Sequence, residues 1–406
     1  MAASSEKVTF PGHTGELLAA RLDLPAGPPR AYALFAHCFT CSKDIFAAAR
    51  IATALAKNGF AVLRFDFTGL GASDGEFANT NFSSNVQDLL EAARYLRENH
   101  AAPSLLVGHS LGGAAVLAAA GDIPEVLAVS TIGAPADAEH VIHNFGAAID
   151  EIDETGSASV KLAGRDFTIH KQFLDDVRGS SLTDRLAKLK RALLVFHAPL
   201  DGTVGIENAG MIYNAAKHPK SFISLDDADH LLSRRVDAIY VANVLAAWSS
   251  RYLDDSAEEK PKAPDRGVLV RETRLGKFQN EVVSGDHHLL ADEPKSVGGL
   301  DSGPSPYDFL SIALGTCTSM TLRMYADRKG WDLGRVSVVV DHDKVHAQDC
   351  AECGEREGRV DRFEREISVE GDVPQEWADK LEEIAGKCPV HRTLEKSSVV
   401  ATKVVV

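Results

Sequence analysis

The chain has 406 residues, with 43 Lys and Arg against 58 Asp and Glu and a formal net charge of −15 at pH 7. At 45% hydrophobic and 25% charged residues it can bury sizeable cores, and its length exceeds the size at which one core usually stops growing, so two domains are expected. The acidic balance repels phosphate backbones and anionic lipid, which argues against nucleic acid or a membrane as partner; no apolar run of about 18 residues suggests a span, and no basic-then-apolar leader follows Met1, so a cytoplasmic location is expected.

In chain order, Lys7 to Phe10 and Glu16 to Leu22 read as an initial hairpin. Short apolar runs then alternate with helical spacing. Tyr32 to Ala36, Phe60 to Phe65, Ser104 to Val107, Val126 to Ile132, Ala192 to Phe196 and Ser221 to Leu225 are strands. Phe46 to Asn58, Val86 to Glu98 and Leu111 to Ala120 are helices. Such alternation predicts an α/β fold with a parallel, doubly wound sheet. The more polar stretch Ala134 to Lys188 interrupts the rhythm and is read as a small cap, mostly helical or irregular. Asp254 to Asp265, rich in Asp, Glu, Lys, Pro and Ala, cannot bury a core and is read as a linker between a first domain, 1–253, and a second, 266–406. Beyond it the pattern is α+β: strands at Val268 to Thr273, Glu281 to Val283, Val336 to Asp341 and Phe363 to Val369, helices at Tyr307 to Lys329 and Gln375 to Gly386, and a final strand at Ser398 to Val405.

Gly108-His109-Ser110-Leu111-Gly112 fits G-x-S-x-G between the strand Leu105 to Val107 and an Ala-rich helix. The glycines permit a sharp strand-to-helix turn that lifts a serine hydroxyl above the sheet. A serine is a weak nucleophile without a base, and the base needs an acid to fix its tautomer. Two later loops offer them in the required order: Asp201 follows the strand Ala192 to Phe196, and His230 follows the last sheet strand. Asp226, Asp227 and Asp229 are read as solvated, with one of them a backup acid, and Asp66 as a loop support. An oxyanion needs two backbone N–H donors. Leu111 supplies one, and the loop His37-Cys38-Phe39-Thr40 the other, from Phe39 or, as the close alternative, Cys38.

These residues, with Arg64-Phe65-Asp66-Phe67-Thr68-Gly69-Leu70-Gly71, resemble the α/β-hydrolase superfamily, in particular its small-capped serine esterases. The resemblance covers about Val8 to Tyr252 and implies ester or related acyl hydrolysis; the expected substrate is a small-molecule acyl ester, and no cofactor is expected. Cys38 stands where many members carry glycine; only its backbone is needed there.

Six cysteines are present, read as thiols, redox residues or ligands rather than structural disulfides. Cys38 and Cys41 have C-x-x-C spacing in a poor context for redox chemistry. Cys317 lies in a helical run and Cys388 follows a helix. Ser302-Gly303-Pro304-Ser305-Pro306-Tyr307-Asp308-Phe309-Leu310, running on to Cys317, resembles the OsmC/Ohr family of thiol-dependent peroxidases over about Arg266 to Val406. That resemblance implies an intertwined homodimer, with Cys317 attacking an organic hydroperoxide and Cys388 resolving it. It also implies an arginine, ambiguous between Arg271 and Arg274 with Lys277 competing, and a glutamate where Tyr307 stands. The open alternative is a dimerisation or ligand-binding module. His342, His346, Cys350 and Cys353 have a spacing compatible with zinc or a further redox pair, but a polar loop is a setting where such clusters arise by accident, and no metal site is assigned.

Overall fold

The central strands of the main sheet, at 31–36, 60–65, 105–109, 128–132 and 192–197, send side chains into two cores on opposite faces, and this two-sided burial explains their apolar runs. The computed structural model describes residues 4–39, 41–146, 148–162, 165–179, 182–253, 261–346, 358–396 and 398–404. The chain divides into two units, Met1–Val268 and Leu269–Val406.

The first unit opens with an antiparallel hairpin, β1 (Ser4–Pro11) and β2 (Leu17–Leu24). Alternating elements follow: β3 (Ala31–Ala36), α1 (Phe46–Lys57), β4 (Phe60–Phe65), α2 (Phe82–Asn99), β5 (Leu105–His109), α3 (Leu111–Ala119) and β6 (Ala128–Ile132). After the cap come β9 (Ala192–His197), α7 (Glu207–Ala215), β10 (Lys220–Ser224) and α8 (Arg235–Ser249). The sheet order is β1-β2-β4-β3-β5-β6-β9-β10, with β4 through β10 joined in parallel and β2 antiparallel to β4. Ala33 and Phe35 of β3 face α1 and α8, whereas Leu34 and Ala36 face α2 and α3. Alternating side chains along each strand thus fill two separate cores, which is the doubly wound α/β arrangement.

Within the cap, α4 (Ala148–Thr155), α5 (Lys171–Gly179) and α6 (Thr183–Ala187) accompany a two-stranded hairpin, β7 (Ser157–Leu162) with β8 (Arg165–His170). The hairpin corrects the expectation of a helical or irregular cap. Its alternation of Ala158 and Val160 with polar residues is short, and those two side chains are buried in the core that the cap shares with one face of the main sheet.

In the second unit β11 (Leu269–Glu272), β12 (Asn280–Ser284) and β13 (His287–Ala291) form one antiparallel sheet, and β14 (Val336–His346) pairs with β15 (Arg359–Val369) in another. Among the described residues the α-helices α9 (Pro306–Lys329), α10 (Gln375–Ala385) and α11 (Pro389–Glu395) accompany them. Helix α9 starts at a capping box in which the Ser305 hydroxyl accepts the Asp308 N–H and the Asp308 carboxylate accepts the Ser305 N–H. Its buried residues Leu314, Thr318, Leu322 and Ala326 recur every four positions, while Ile312, Met320 and Met324 stay exposed. The core is small, built on Leu322, Ala326, Leu333, Leu381, Ile384 and Ala385. The strand expected at Ser398 to Val405 does not form over the described residues 398–404: the segment pairs with no strand, and Val399, Val400 and Val404 are exposed. An apolar β-branched run becomes a strand only when a sheet edge accepts its hydrogen bonds.

Candidate active site

Ser110 sits between β5 and α3 with φ 56° and ψ −126°, a conformation that costs a non-glycine residue about 1–3 kcal/mol. Its surroundings hold it there. The Ser110 N–H donates to Ile132 O at 2.9 Å, and Ser110 O accepts the Gly113 N–H at 2.8 Å. The turn is so close that side chains would not fit around it. A Cβ at Gly108 would lie 2.3 Å from Gly112 O, one at Gly112 2.4 Å from His37 O, and one at Gly113 2.5 Å from the Ala134 Cβ.

His230 reaches this turn from the loop after β10. Its Nε2 is 3.0 Å from Ser110 Oγ and its Nδ1 is 2.7 Å from Asp201 Oδ2. The other Asp201 oxygen accepts the N–H groups of Thr203 at 2.8 Å and Val204 at 2.9 Å. Burial alone raises this carboxyl, but the hydrogen bonds from His230, Val204 and Thr203 outweigh it and hold Asp201 below the usual carboxylate range. Asp201 is therefore charged beside an imidazole whose other nitrogen faces the hydroxyl. Asp229, by contrast, accepts the Ser233 N–H at 2.7 Å and caps its own turn, and Asp226 accepts from the Ser224 hydroxyl.

Three residues near this group gave no separate signal as sequence. Gly133 follows β6 with φ 54°, and a Cβ there would lie 3.2 Å from Asp201 Oδ2 and 3.3 Å from His230 Nδ1. His197 is buried and donates from Nε2 to Val204 O at 2.8 Å, tying down the loop that carries Asp201. His109, the variable residue of the elbow, donates from Nε2 to the backbone carbonyl of His230 at 2.7 Å. A carbonyl only accepts, so Nε2 carries a proton.

Leu111 is the first residue of α3, so its N–H has no intrahelical partner. The loop after β3 abuts the same helix at Gly112, and the Phe39 ring packs among Phe77, Phe145 and Phe173 at centroid distances of 5.6, 6.3 and 5.6 Å. Asp66 anchors the far end of that loop, accepting the Lys43 N–H at 2.5 Å, Lys43 Nζ at 2.6 Å and the Ala72 N–H at 2.9 Å. Cys38 and Cys41 are joined as a disulfide, correcting the expectation of thiols, redox residues or ligands rather than structural disulfides. Backbone turning at the loop brings their Cα atoms to 5.3 Å, within bonding reach.

In the second unit Cys317 is half-buried and Cys388 buried, and both are free thiols. Cys388 Sγ lies 3.7 Å from the hydroxyl of Thr318, the neighbour of Cys317, and accepts the His391 N–H at 3.3 Å. The cation here is Arg365 of β15, which donates to Thr318 Oγ1 at 2.9 Å and Ala385 O at 3.0 Å and lies 3.0 Å from His391 Nδ1. Sequence spacing gave no hint of it. Arg271, one of the expected arginines, pairs instead with Glu281 at 2.6 Å. Tyr307 stacks on His342 at 4.3 Å, and His342 contacts Asp361 at 3.0 Å. Among the described residues no three His, Cys, Asp or Glu side chains gather as a metal site; Cys350 and Cys353 of the expected cluster lie outside the described residues.

Both units match known protein families. Residues 27–152 match the family model described as serine aminopeptidase, S33, and residues 299–403 match that of the OsmC-like proteins. The crystal structure of the esterase domain from a Rhodothermus marinus protein is 54% identical, covering 62% of this chain and 99% of that one with a TM-score of 0.53. A palmitoyl-protein thioesterase from Rattus norvegicus, ABHD10, mitochondrial, is 36% identical over 21% of this chain and 28% of its own length. The uncharacterized protein YfhR of Escherichia coli O157:H7 is 24% identical over 44% of this chain and 55% of its own length. The chain thus spans between about a quarter and about half of these two curated relatives. It belongs to the α/β-hydrolase family of esterase-like enzymes in its first unit and carries an OsmC-like domain in its second.

The buried ring of His109 makes a pH prediction. Burial first, and the nearby His230 second, push its pKa down from 6.5 to about 4. Between those values the unfolded chain binds a proton that the folded chain does not, so stability is complete above pH 6.5 and falls as pH drops toward 4. At about 1.4 kcal/mol per pKa unit the loss is about 3 kcal/mol. His109→Gln, which keeps a donor for the His230 carbonyl, should lose correspondingly less stability between pH 7.5 and 4.5 in urea unfolding than the wild type does.

Proposed function

We propose that the first unit cleaves small-molecule carboxylic esters through an acyl-enzyme on Ser110. The supporting observation is the unbroken run from Ser110 Oγ to His230 Nε2 at 3.0 Å and from His230 Nδ1 to Asp201 Oδ2 at 2.7 Å. In this reading His230 takes the hydroxyl proton as Ser110 attacks the ester carbonyl, and then returns it to the departing alcohol. Asp201, kept ionised, holds the Nδ1–H tautomer and stabilises the imidazolium. The amides of Leu111 and Phe39 receive the developing oxyanion. Water, activated by the same imidazole, releases the acid. The Rhodothermus marinus relative is an esterase domain, in agreement with this chemistry. Ser110→Ala should lower kcat for p-nitrophenyl butyrate at least about a thousandfold with its fold intact, as loss of a triad nucleophile does elsewhere. Equal rates in wild type and variant remove the proposal.

For the second unit we propose homodimerisation. It is supported by the exposed apolar face of α9, where Met320 and Met324, one turn apart, are 65% and 72% accessible. Met324→Glu should shift the wild-type dimer toward monomer in sedimentation equilibrium; a wild type that sediments as a monomer disposes of the idea.

A second reading, thiol-dependent reduction of an organic hydroperoxide, is supported by the two free thiols and by Cys388 lying against the neighbour of Cys317. The Cys317 thiolate would take the distal peroxide oxygen, releasing an alcohol, and Cys388 would displace water from the sulfenic acid to close a disulfide. Consumption of cumene hydroperoxide with a dithiol reductant should disappear in Cys317→Ser. If the wild type consumes none, the unit is an assembly module alone.

A further inference from the structure

We infer that the Cys38–Cys41 disulfide is a redox switch on the hydrolase site. Closed, it holds the Phe39 amide in place for the oxyanion; opened by a dithiol, it lets that donor drift and hydrolysis falls. The inference rests on the serine-hydrolase reading of Ser110 and adds a regulation to it.

The loop is fastened at both ends by groups indifferent to redox state. At its start His37 O is wedged against the elbow helix, where a Cβ on Gly112 would come within 2.4 Å of it, and the buried His37 ring donates from Nδ1 to Cys38 O at 2.8 Å. At its end Lys43 is held twice by Asp66, and the Lys43 carbonyl accepts Arg64 Nη1 at 2.5 Å. Between these ends lies the turn that carries Phe39. Among the described residues the turn is held by the disulfide, by the Cys41 N–H to Cys38 O bond of 3.1 Å, and by the Phe39 ring packed among Phe77, Phe145 and Phe173, and of these the disulfide alone is covalent. The covalent bridge is thus the strong link across the donor segment itself.

A ring closed over only two intervening residues removes little freedom from the unfolded chain, far less than a bridge between distant segments. Its effect is therefore local, on the loop. It is also reachable. Cys38 is 4% exposed, but Cys41 is half-buried, so exchange begins at the Cys41 sulfur. One thiolate of a dithiol attacks Cys41 Sγ, the S–S bond breaks, and the electron pair leaves on Cys38 Sγ, which takes a proton. The second thiol of the reductant then attacks its own sulfur in the mixed disulfide and releases the Cys41 thiol. Two electrons and two protons pass to the protein, and the reductant leaves as a cyclic disulfide. An organic disulfide reverses the step, yielding two thiols of its own.

The test uses the full chain and p-nitrophenyl butyrate. The enzyme is assayed oxidised, after dithiothreitol, and after removal of the dithiol and reoxidation with oxidised glutathione, with the state of Cys38 and Cys41 mapped by alkylation and peptide mass. The expected result is a fall in kcat of about tenfold or more on opening, consistent with a displaced oxyanion donor, with recovery on closure. The same response should persist in a Cys317→Ser, Cys388→Ser background, which removes the thiols of the second unit. Cys38→Ser with Cys41→Ser should sit at the reduced rate and ignore dithiothreitol. An active oxidised chain whose rate ignores the mapped opening of the bridge overturns the switch alone, and so does a double variant that still responds. An oxidised chain that hydrolyses no ester and takes no fluorophosphonate at Ser110 overturns the hydrolase reading and the switch together.

Discussion

At Ser110 the backbone turns through a positive φ that a side-chain-bearing residue avoids, and the turn holds only because the neighbouring positions have no side chains. Gly108 lets β5 pass under the start of α3, Gly112 lets that helix touch the carbonyls of Ala36 and His37, and Gly113 lets it seat against Ala134. Remove that closeness and the hydroxyl retreats from His230, while the loop bearing Phe39 loses its contact with the helix. The nucleophile, the amide of Leu111 and the placement of the β3 loop are therefore set by one packing constraint. Local strain is tolerated here because the surrounding sheet leaves the chain no other path.

The partners of Ser110 arrive by a different route. His230 and Asp201 stand on loops at the carboxyl ends of β10 and β9, so the parallel register of β5, β6, β9 and β10 carries both to the same edge of the sheet. Finer placement comes from buried polar contacts. His197 ties the Asp201 loop, His109 ties the His230 carbonyl, and Gly133 leaves room between them. The imidazole is thereby oriented through its backbone as well as through Asp201. On the proposed reaction, these contacts lower the reorganisation needed when the proton moves.

The second unit follows another economy. Its interior is small, and α9 buries one stripe while presenting methionines on the other. Cys388, Thr318, Arg365 and His391 form a connected polar cluster beneath this helix. The same helix thus serves a thiol environment on its packed side and an apolar surface on its outer side, and the proposed assembly and thiol chemistry are properties of opposite faces of one element.

Much was legible along the chain because it is written in local patterns. Period-two and unbroken apolar runs marked the strands of a doubly wound sheet, and glycines around a serine marked the sharp turn, since both patterns act over a few residues. The order Ser110, Asp201, His230 was legible because strand ends recur at one edge of such a sheet. The β7–β8 hairpin, the unpaired 398–404 segment, the Cys38–Cys41 bridge and the roles of His109, Gly133 and Arg365 were not. Each depends on what another segment brings within a few ångströms: a partner edge, a second sulfur, a carbonyl, a thiol's neighbour. Sequence alone determines periodicity and the sterics of a turn. Contacts between residues far apart in the chain are decided only when the chain folds, because their energy is felt at short range in space and not along the sequence.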